Sequence, residues 1–600
     1  MERINIFRSW KSNFYHRDIL DALKVYTAQE LSNIRSHGYN GIWLRGKLHK
    51  LTPSNIFPEF GQKHGEYLKI LNILVKRTNR YKMKVYIYFN EPLALLTNDS
   101  FWRKNRDVIG EAYIWPFEPK GVYYSLCTST LKVRNYIEES LYLLFKMVQG
   151  LGGVICITAS EYITSCYSHI DITGLYNGKI PGVWKSPQEM KCYRCKTRSA
   201  TEVIAELLNT MHAGIAKQDP SAKLIAWNWT WDLFSPDPQK EIISNLNRNI
   251  ILMSDFERGG TKKILGENRR IDEYSLSYIG PSEKFKKALA FTGKTGHRLM
   301  TKLQVGTTHE LATVPNLPLI DNIYKKVKYI KSKDIYGVMA TWNMGNMRTL
   351  NTYVFGQAMK SEPLTKNIFY HKIVKSYLKI NHLELAKIKI GWQWFAQAMN
   401  HYPFSVVFLY NGLVNYSPGY WLPPRRIKGT PLGDSWVILE KRGDDLSDGV
   451  NGYGLSGVIK GLSLVCKKWD KGIEIYKTIF QEKEEKQIKE EYFCALAIGH
   501  IFRSALHIYK LYSLCRGWDE KKCFSKYIAL CQKEIQNCQS LLPILFKDKR
   551  LGFHAECQGY MFNTKSVQEK INMLMTVIIS NKVNTRRSLG LQRYRTSSCE

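Results

Sequence analysis

The feature that most constrains this chain is an alternation, repeated eight times before about residue 345, between apolar runs of strand length and longer stretches of helical periodicity. The runs are INIFRS near residue 4, NGIWLRG at 40–46, KVYIYFN at 84–90, GGVICITAS at 152–160, KLIAWNW at 223–229, NIILMSD at 249–255, TKLQVGTT at 301–308 and IYGVMATW at 335–342. Runs this short and this apolar suit strands buried on both faces, and a helix between successive strands makes them parallel. TAQELSNIRSHG, HGEYLKILNILVKRTNRY, TSTLKVRNYIEESLYLLFKMVQ, SATEVIAELLNTMHAGIAK and NIYKKVKYIKSK supply such helices. Repeated βα units of this number close most simply into a (β/α)8 TIM barrel, expected over residues 1–360.

Past residue 365 the alternation stops. NHLELAKIKIGWQWFAQAMN and the long stretch from KGIEIYKTIF to LYSLC are amphipathic at helical spacing, which predicts a mainly α-helical C-terminal domain over 361–600. Between them, NYSPGYWLPPRRIKGTPLGDSW is rich in Pro, Gly and aromatics and reads as a long ordered loop. There is no internal repeat and no glycine-rich phosphate loop.

A barrel carries its chemistry on the loops at the carboxyl ends of its strands. On the expected boundaries those ends hold Arg45; Asn90 and Glu91; Glu161; Asn228, Trp229 and Trp231; Asp255 and Glu257; His309 and Glu310; and Trp342 and Asn343. Aromatic planes stack on sugar faces, while carboxylates and amides bind hydroxyls, so this set points to a carbohydrate site. Arg45, Asn90, Glu91, Asn228, Trp229, Asp255, His309, Trp342 and Asn343 are its expected substrate-binding residues. Glycoside hydrolysis needs two carboxyl groups flanking the scissile bond. Strands four and seven of such a barrel face each other, which predicts Glu161 as acid/base and Glu310 as nucleophile, about 5 Å apart for a retaining reaction.

Several of these segments also carry a resemblance. NGIWLRGKLHKL, VYIYFNEP, ITASEYITSCYSH with the later CYRC, EYSLSYIGP, and KLQVGTTHELATVPNLP followed by GVMATWNMGN together resemble bacterial glycoside-hydrolase-like barrel proteins distantly similar to family 20 hexosaminidases. The resemblance implies an exo-acting glycosidase on a β-linked hexosamine or related sugar. Family 20 enzymes use an Asp-Glu pair after strand four, in which Asp orients the substrate's own nucleophilic acetamido group. Glu161 matches the acid, but Ser160 stands at the Asp position, which favours a protein nucleophile. Asn90-Glu91-Pro92 resembles the Asn-Glu-Pro of retaining barrel glycosidases, yet follows strand three. The competing expectation is a non-catalytic carbohydrate-binding or regulatory protein on a degenerate barrel.

Within 166–195, Cys166-x-x-His169 and Cys192-x-x-Cys195 form two pairs with the spacing of a zinc knot, so a structural zinc ion is expected there. The thirteen cysteines of the whole chain do not otherwise form a secreted disulfide pattern. The amino terminus has no apolar stretch of signal-peptide length and no run reaches membrane-span length, which predicts a cytoplasmic protein without a membrane partner. The net charge of +35 raises a polyanion as a third reading, but Lys and Arg are scattered among Asp and Glu, which disfavours nucleic acid. The expected partner is a small oligosaccharide or glycoside. The oligomeric state is left open.

Overall fold

The structure is a computed structural model that describes residues 3–13, 17–115, 119–159, 162–168, 190–420, 427–432, 443–481 and 483–595, without the side chains of 520–521 and 581–595. Each of the expected apolar runs contributes a barrel strand: β1 (Ile4–Phe7), β2 (Gly41–Arg45), β3 (Lys84–Phe89), β4 (Gly153–Ile157), β5 (Lys223–Trp227), β6 (Ile251–Asp255), β7 (Leu299–Lys302) and β8 (Gly337–Met339). Every neighbouring pair is parallel, and β1 pairs with both β2 and β8, so the barrel closes.

The strands read as continuous apolar runs because two cores share them. In β3, Val85, Ile87 and Phe89 point outward into the large core under the helices, whereas Tyr86 and Tyr88 point into the barrel. The same alternation sends Trp43, Ile155, Ile157, Ile225, Trp227, Met253 and Met300 inward. Helices follow on the outside, among them Ala28–Ser36, His64–Asn79, Leu131–Met147, Ala200–Gln218, Glu283–Thr295, Ile320–Lys331 and Leu350–Lys360. Their starts are set locally: Thr27, Thr130, Ser199 and Ser282 each accept a first-turn amide, and Ser199 with Glu202 forms a full capping box.

Two insertions interrupt the alternation. After β3 comes a small antiparallel sheet of Leu95–Leu96, Ile109–Trp115 and Gly121–Leu126, and after β6 the hairpin Gly260–Ile264/Glu267–Ile271. Beyond Lys360 the long helices His382–Met399, Gly454–Phe480, Lys486–Arg516, Glu520–Lys547 and Thr564–Arg595 pack in chain order. This helical region grips the loop after β7. Asn415 Oδ1 accepts from the Ala312 amide (2.7 Å), Asn316 Nδ2 donates to Glu491 Oε2 (2.9 Å), and the Gly552 amide donates to Thr313 O (2.8 Å). Among the described residues no helix is long and apolar enough to cross a membrane.

Candidate active site

The floor of the carboxyl end of the barrel is aromatic. Trp342, half-buried just beyond β8, stacks on Trp43 (centroids 4.9 Å, 17° between planes) and meets Tyr88 and Trp227 edge-on at 5.1 and 5.3 Å. Trp227 Nε1 donates to Oδ1 of Asp255, the last residue of β6 (3.0 Å). Asp255 is fully buried, and its Oδ2 has no hydrogen-bond partner among the described residues. Burial pushes its carboxyl up to about 6; Arg258, Lys284 and Lys302 pull the other way, and Glu273 adds to the rise.

Lys302, the last residue of β7, faces the same space. It is fully buried, with Nζ 4.1 Å from the Tyr274 ring centroid and donating to Leu303 O (3.1 Å). Burial lowers its ammonium to about 8, against the opposing pull of Glu257, Asp255, Glu273 and Glu556. Glu273 accepts from the Tyr274 amide on one oxygen and from Tyr410 Oη on the other, both at 2.8 Å, and burial raises its pKa. His309 Nε2 lies 4.0 Å from Glu273 Oε1, and burial lowers its imidazole to about 3, so this contact is not an ion pair at neutral pH. The helical region completes the rim: Tyr410 binds Glu273, and Glu556 Oε1 accepts from Trp342 Nε1 (3.2 Å).

Four other strand-end residues are poised in the same unsatisfied way. Asn90 and Asn343 are each 2% exposed, and neither side chain has a protein partner among the described residues. Asn228 donates from Nδ2 to Gln239 (3.0 Å), while its Oδ1 and Nε1 of half-buried Trp229 have no partner among the described residues. Leaving a buried polar group unpaired costs about 1–3 kcal/mol, so these strand-end groups are candidates to meet a ligand or solvent.

Other expected residues have different work. Glu310 is not at a strand end, because β7 stops at Lys302 rather than running to 308. Its buried carboxylate accepts from Ser275 Oγ (2.6 Å), Ser277 Oγ, the amides of Leu276 (3.0 Å) and Ser277 (3.3 Å), and Thr308 Oγ1 (2.9 Å). Five donors fill the roughly four lone-pair sites of a carboxylate, so Glu310 staples two loops and has nothing left with which to attack. Glu91 is a second correction: its oxygens accept from the amides of Leu48 (2.7 Å) and Leu93 (3.0 Å), bracing the loops after β2 and β3 instead of facing a substrate. Trp231 is core, its Nε1 donating to Thr158 Oγ1 (3.0 Å), and Glu257 is ion-paired with Lys326. Arg45 lies over the Tyr162 ring (4.5 Å) and donates to its hydroxyl (3.2 Å). Glu161 and His169 lie outside the described residues. Ala159, two residues before Glu161, holds a left-handed φ of 53°, with Thr230 Oγ1 donating to its carbonyl (2.6 Å).

Lys302, Glu273, Tyr410 and Glu556 escaped the sequence reading. Only Lys302 carried a signal, an ionisable residue within an apolar strand. A cleft of about 340 Å3 lies elsewhere, between the barrel and the helical region, lined by Trp10, Arg348, Tyr377, Glu490 and Arg550. Three of its cations are paired: Arg550 with Asp548 and Glu490, Arg348 with Glu30 and Lys486 with Glu490.

No family model matches the sequence, and no curated protein matches it either. Among solved structures, the chain is similar to a glycoside hydrolase family 138 enzyme targeting pectin rhamnogalacturonan II, with a TM-score of 0.51 and 10% identity over 95% of this chain and 64% of that one. This chain therefore spans less than two thirds of that enzyme's length. A mutant O-GlcNAc hydrolase of Thermobaculum terrenum gives a TM-score of 0.37 at 9% identity over 98% and 96% of the two chains. A β-mannanase of the blue mussel Mytilus edulis gives 0.34 at 12% identity over 60% and 92%. At 10% identity the likeness to the family 138 enzyme is one of fold.

A separate cluster lies beside the small sheet. The sulfurs of Cys127, Cys166, Cys192 and Cys195 all lie within 4.8 Å of one another, and all four residues are buried. Three of the four expected metal ligands are in it; among the described residues the fourth is Cys127, from the turn before helix Leu131–Met147.

Proposed function

We propose that this protein is a glycoside hydrolase whose reactive carboxylate among the described residues is Asp255. The observation that carries the reading is Oδ2 of Asp255, which has no hydrogen-bond partner among the described residues while Trp227, part of the aromatic floor, holds Oδ1; the other strand ends present Asn90, Asn228 and Asn343, each with a side-chain atom likewise unpartnered among those residues. A sugar ring stacked on such a floor would offer hydroxyls to those amides. With its carboxyl raised to about 6, Asp255 is mostly ionised at neutral pH, as a group that meets a developing oxocarbenium centre must be. Glu161 keeps the acid/base part that its position after β4 suggests, and Asp255 takes the nucleophile part first given to Glu310. The substrate carried forward is a β-linked hexosamine or related sugar, cleaved from a chain end with retention.

The test is a panel of aryl glycosides, led by β-N-acetylhexosaminides and extended to pectic oligosaccharides, with the anomer of the product read by NMR. Turnover that Asp255→Asn and Glu161→Gln each reduce by about 10³-fold or more is the expected result. Sugar binding by calorimetry with no turnover of any member would hand the site to a non-catalytic carbohydrate-binding protein.

A further inference from the structure

We propose that Cys127, Cys166, Cys192 and Cys195 bind one zinc ion as a tetrathiolate clamp that fastens the small sheet after β3 to the loop after β4, a set that fills the four positions of a tetrahedral ion. Spacing alone pairs Cys166 with His169, but the fold brings in a thiol from 39 residues earlier in the chain. The separations fit. Cys127 Sγ lies 3.6 Å from Cys192 Sγ and 3.7 Å from Cys195 Sγ. Zinc–sulfur bonds of ~2.3 Å in a tetrahedron put the sulfurs ~3.8 Å apart, whereas a disulfide would bring them to ~2 Å.

The surroundings are those of a built thiolate site. Arg194 Nε donates to Cys127 Sγ (3.3 Å), and the Ser129 and Ser125 hydroxyls lie 3.2 and 3.6 Å from Cys195 and Cys166 Sγ. Such donors offset the negative charge that four thiolates leave around a divalent ion. Gly110 lets the sheet come this close, since a Cβ there would stand 2.7 Å from Cys166 Sγ. Glu111 accepts from the amides of Lys191 (2.7 Å) and Cys192 (3.0 Å), and Tyr113 Oη donates to Cys166 O (2.7 Å).

The energetic argument points the same way. The cluster is a satellite core of Cys127, Cys166, Tyr167, Met190, Cys192, Cys195 and Val203, separate from the main core. A core of seven residues, four of them cysteines, buries too little apolar area to order the segments that make it, and an ion supplies the missing cohesion. Four protein ligands leave no open position, so the ion is structural. Its influence would run along the chain: Cys166 lies four residues beyond Tyr162, the partner of Arg45, and five beyond Glu161.

The experiment is metal analysis of the purified full chain, its Cys127→Ser and His169→Ala variants, and a thiol titration of the native protein. About one equivalent of zinc, kept in His169→Ala and lost in Cys127→Ser, is expected. A metal-free protein, iron in place of zinc, or zinc that survives Cys127→Ser and departs in His169→Ala would overturn the proposal. If Cys127→Ser does not fold, the native protein still decides: four thiols released together with one zinc on mercurial treatment support the clamp, and thiols released with no metal sink it. The coupling to the mouth rests on the glycosidase reading. There, zinc removal should lower kcat about tenfold with little change in KM and zinc should restore it, while an unchanged kcat refutes the coupling and leaves the stoichiometry standing.

Discussion

Asp255, the last residue of β6, and Glu310, in the loop after β7, are both fully buried carboxylates, and their surroundings divide them. Glu310 collects five donors from the loops after β6 and β7, and the helical region closes over it, with Tyr402 Oη donating to its carbonyl (2.6 Å). Among the described residues Asp255 has one donor, Trp227, and one oxygen without a partner. Burial alone therefore does not mark a catalytic acid. What separates a staple from a reactive group is how many of its lone pairs the fold has already used.

That contrast can be broken most directly by exchanging each carboxylate for its amide. Asp255→Asn should lower kcat by about 10³-fold or more, and Glu310→Gln by no more than about tenfold, measured on the same glycoside. The reverse order would return the nucleophile to Glu310. Stability should move in opposite directions. Glu310→Gln replaces acceptor lone pairs with an NH2 group facing hydroxyls and amides, and should cost about 2–4 kcal/mol in denaturant unfolding.

For Asp255 the sign is the unusual one. Its folded pKa, about 6, lies above its ordinary 3.8, so the native state holds the proton more tightly and stability falls as pH rises through that interval. Above it the charged form costs the fold on the order of 2–3 kcal/mol, so Asp255→Asn should unfold at a higher denaturant concentration than wild type at pH 8 and lose that advantage below pH 4. An equal or lower midpoint at pH 8 would mean Asp255 is satisfied after all.

The pH–rate profile sharpens the comparison further. An acid limb near pH 6 should report Asp255, and the basic limb should report loss of the proton from Glu161. Lys302→Met removes a cation that favours the charged form of Asp255 and should move the acid limb to higher pH while leaving the basic one. The smallest effect is expected at the floor's edge, where Trp229→Ala should raise KM by about five- to tenfold with kcat nearly unchanged, in keeping with the ~1 kcal/mol of a single stacking contact.

The eightfold barrel was legible because strand length, apolar continuity and capping are local properties: Val85, Ile87 and Phe89 against Tyr86 and Tyr88 already contain both cores. The strand-end set also yielded Trp342, found in the aromatic floor, and Asn90, Asn228, Trp229, Asp255 and Asn343, each with a buried side-chain atom unpartnered among the described residues. Tertiary structure alone ended β7 at Lys302, turned Glu310 into a staple, brought Tyr410 and Glu556 to the rim and put Cys127 among the thiols. The reason is one of distance along the chain. Periodicity is written in neighbours three or four residues apart, but whether a carboxylate is saturated or a thiol has company depends on partners that Ser275, Tyr410 or Cys127 supply from tens or hundreds of residues away.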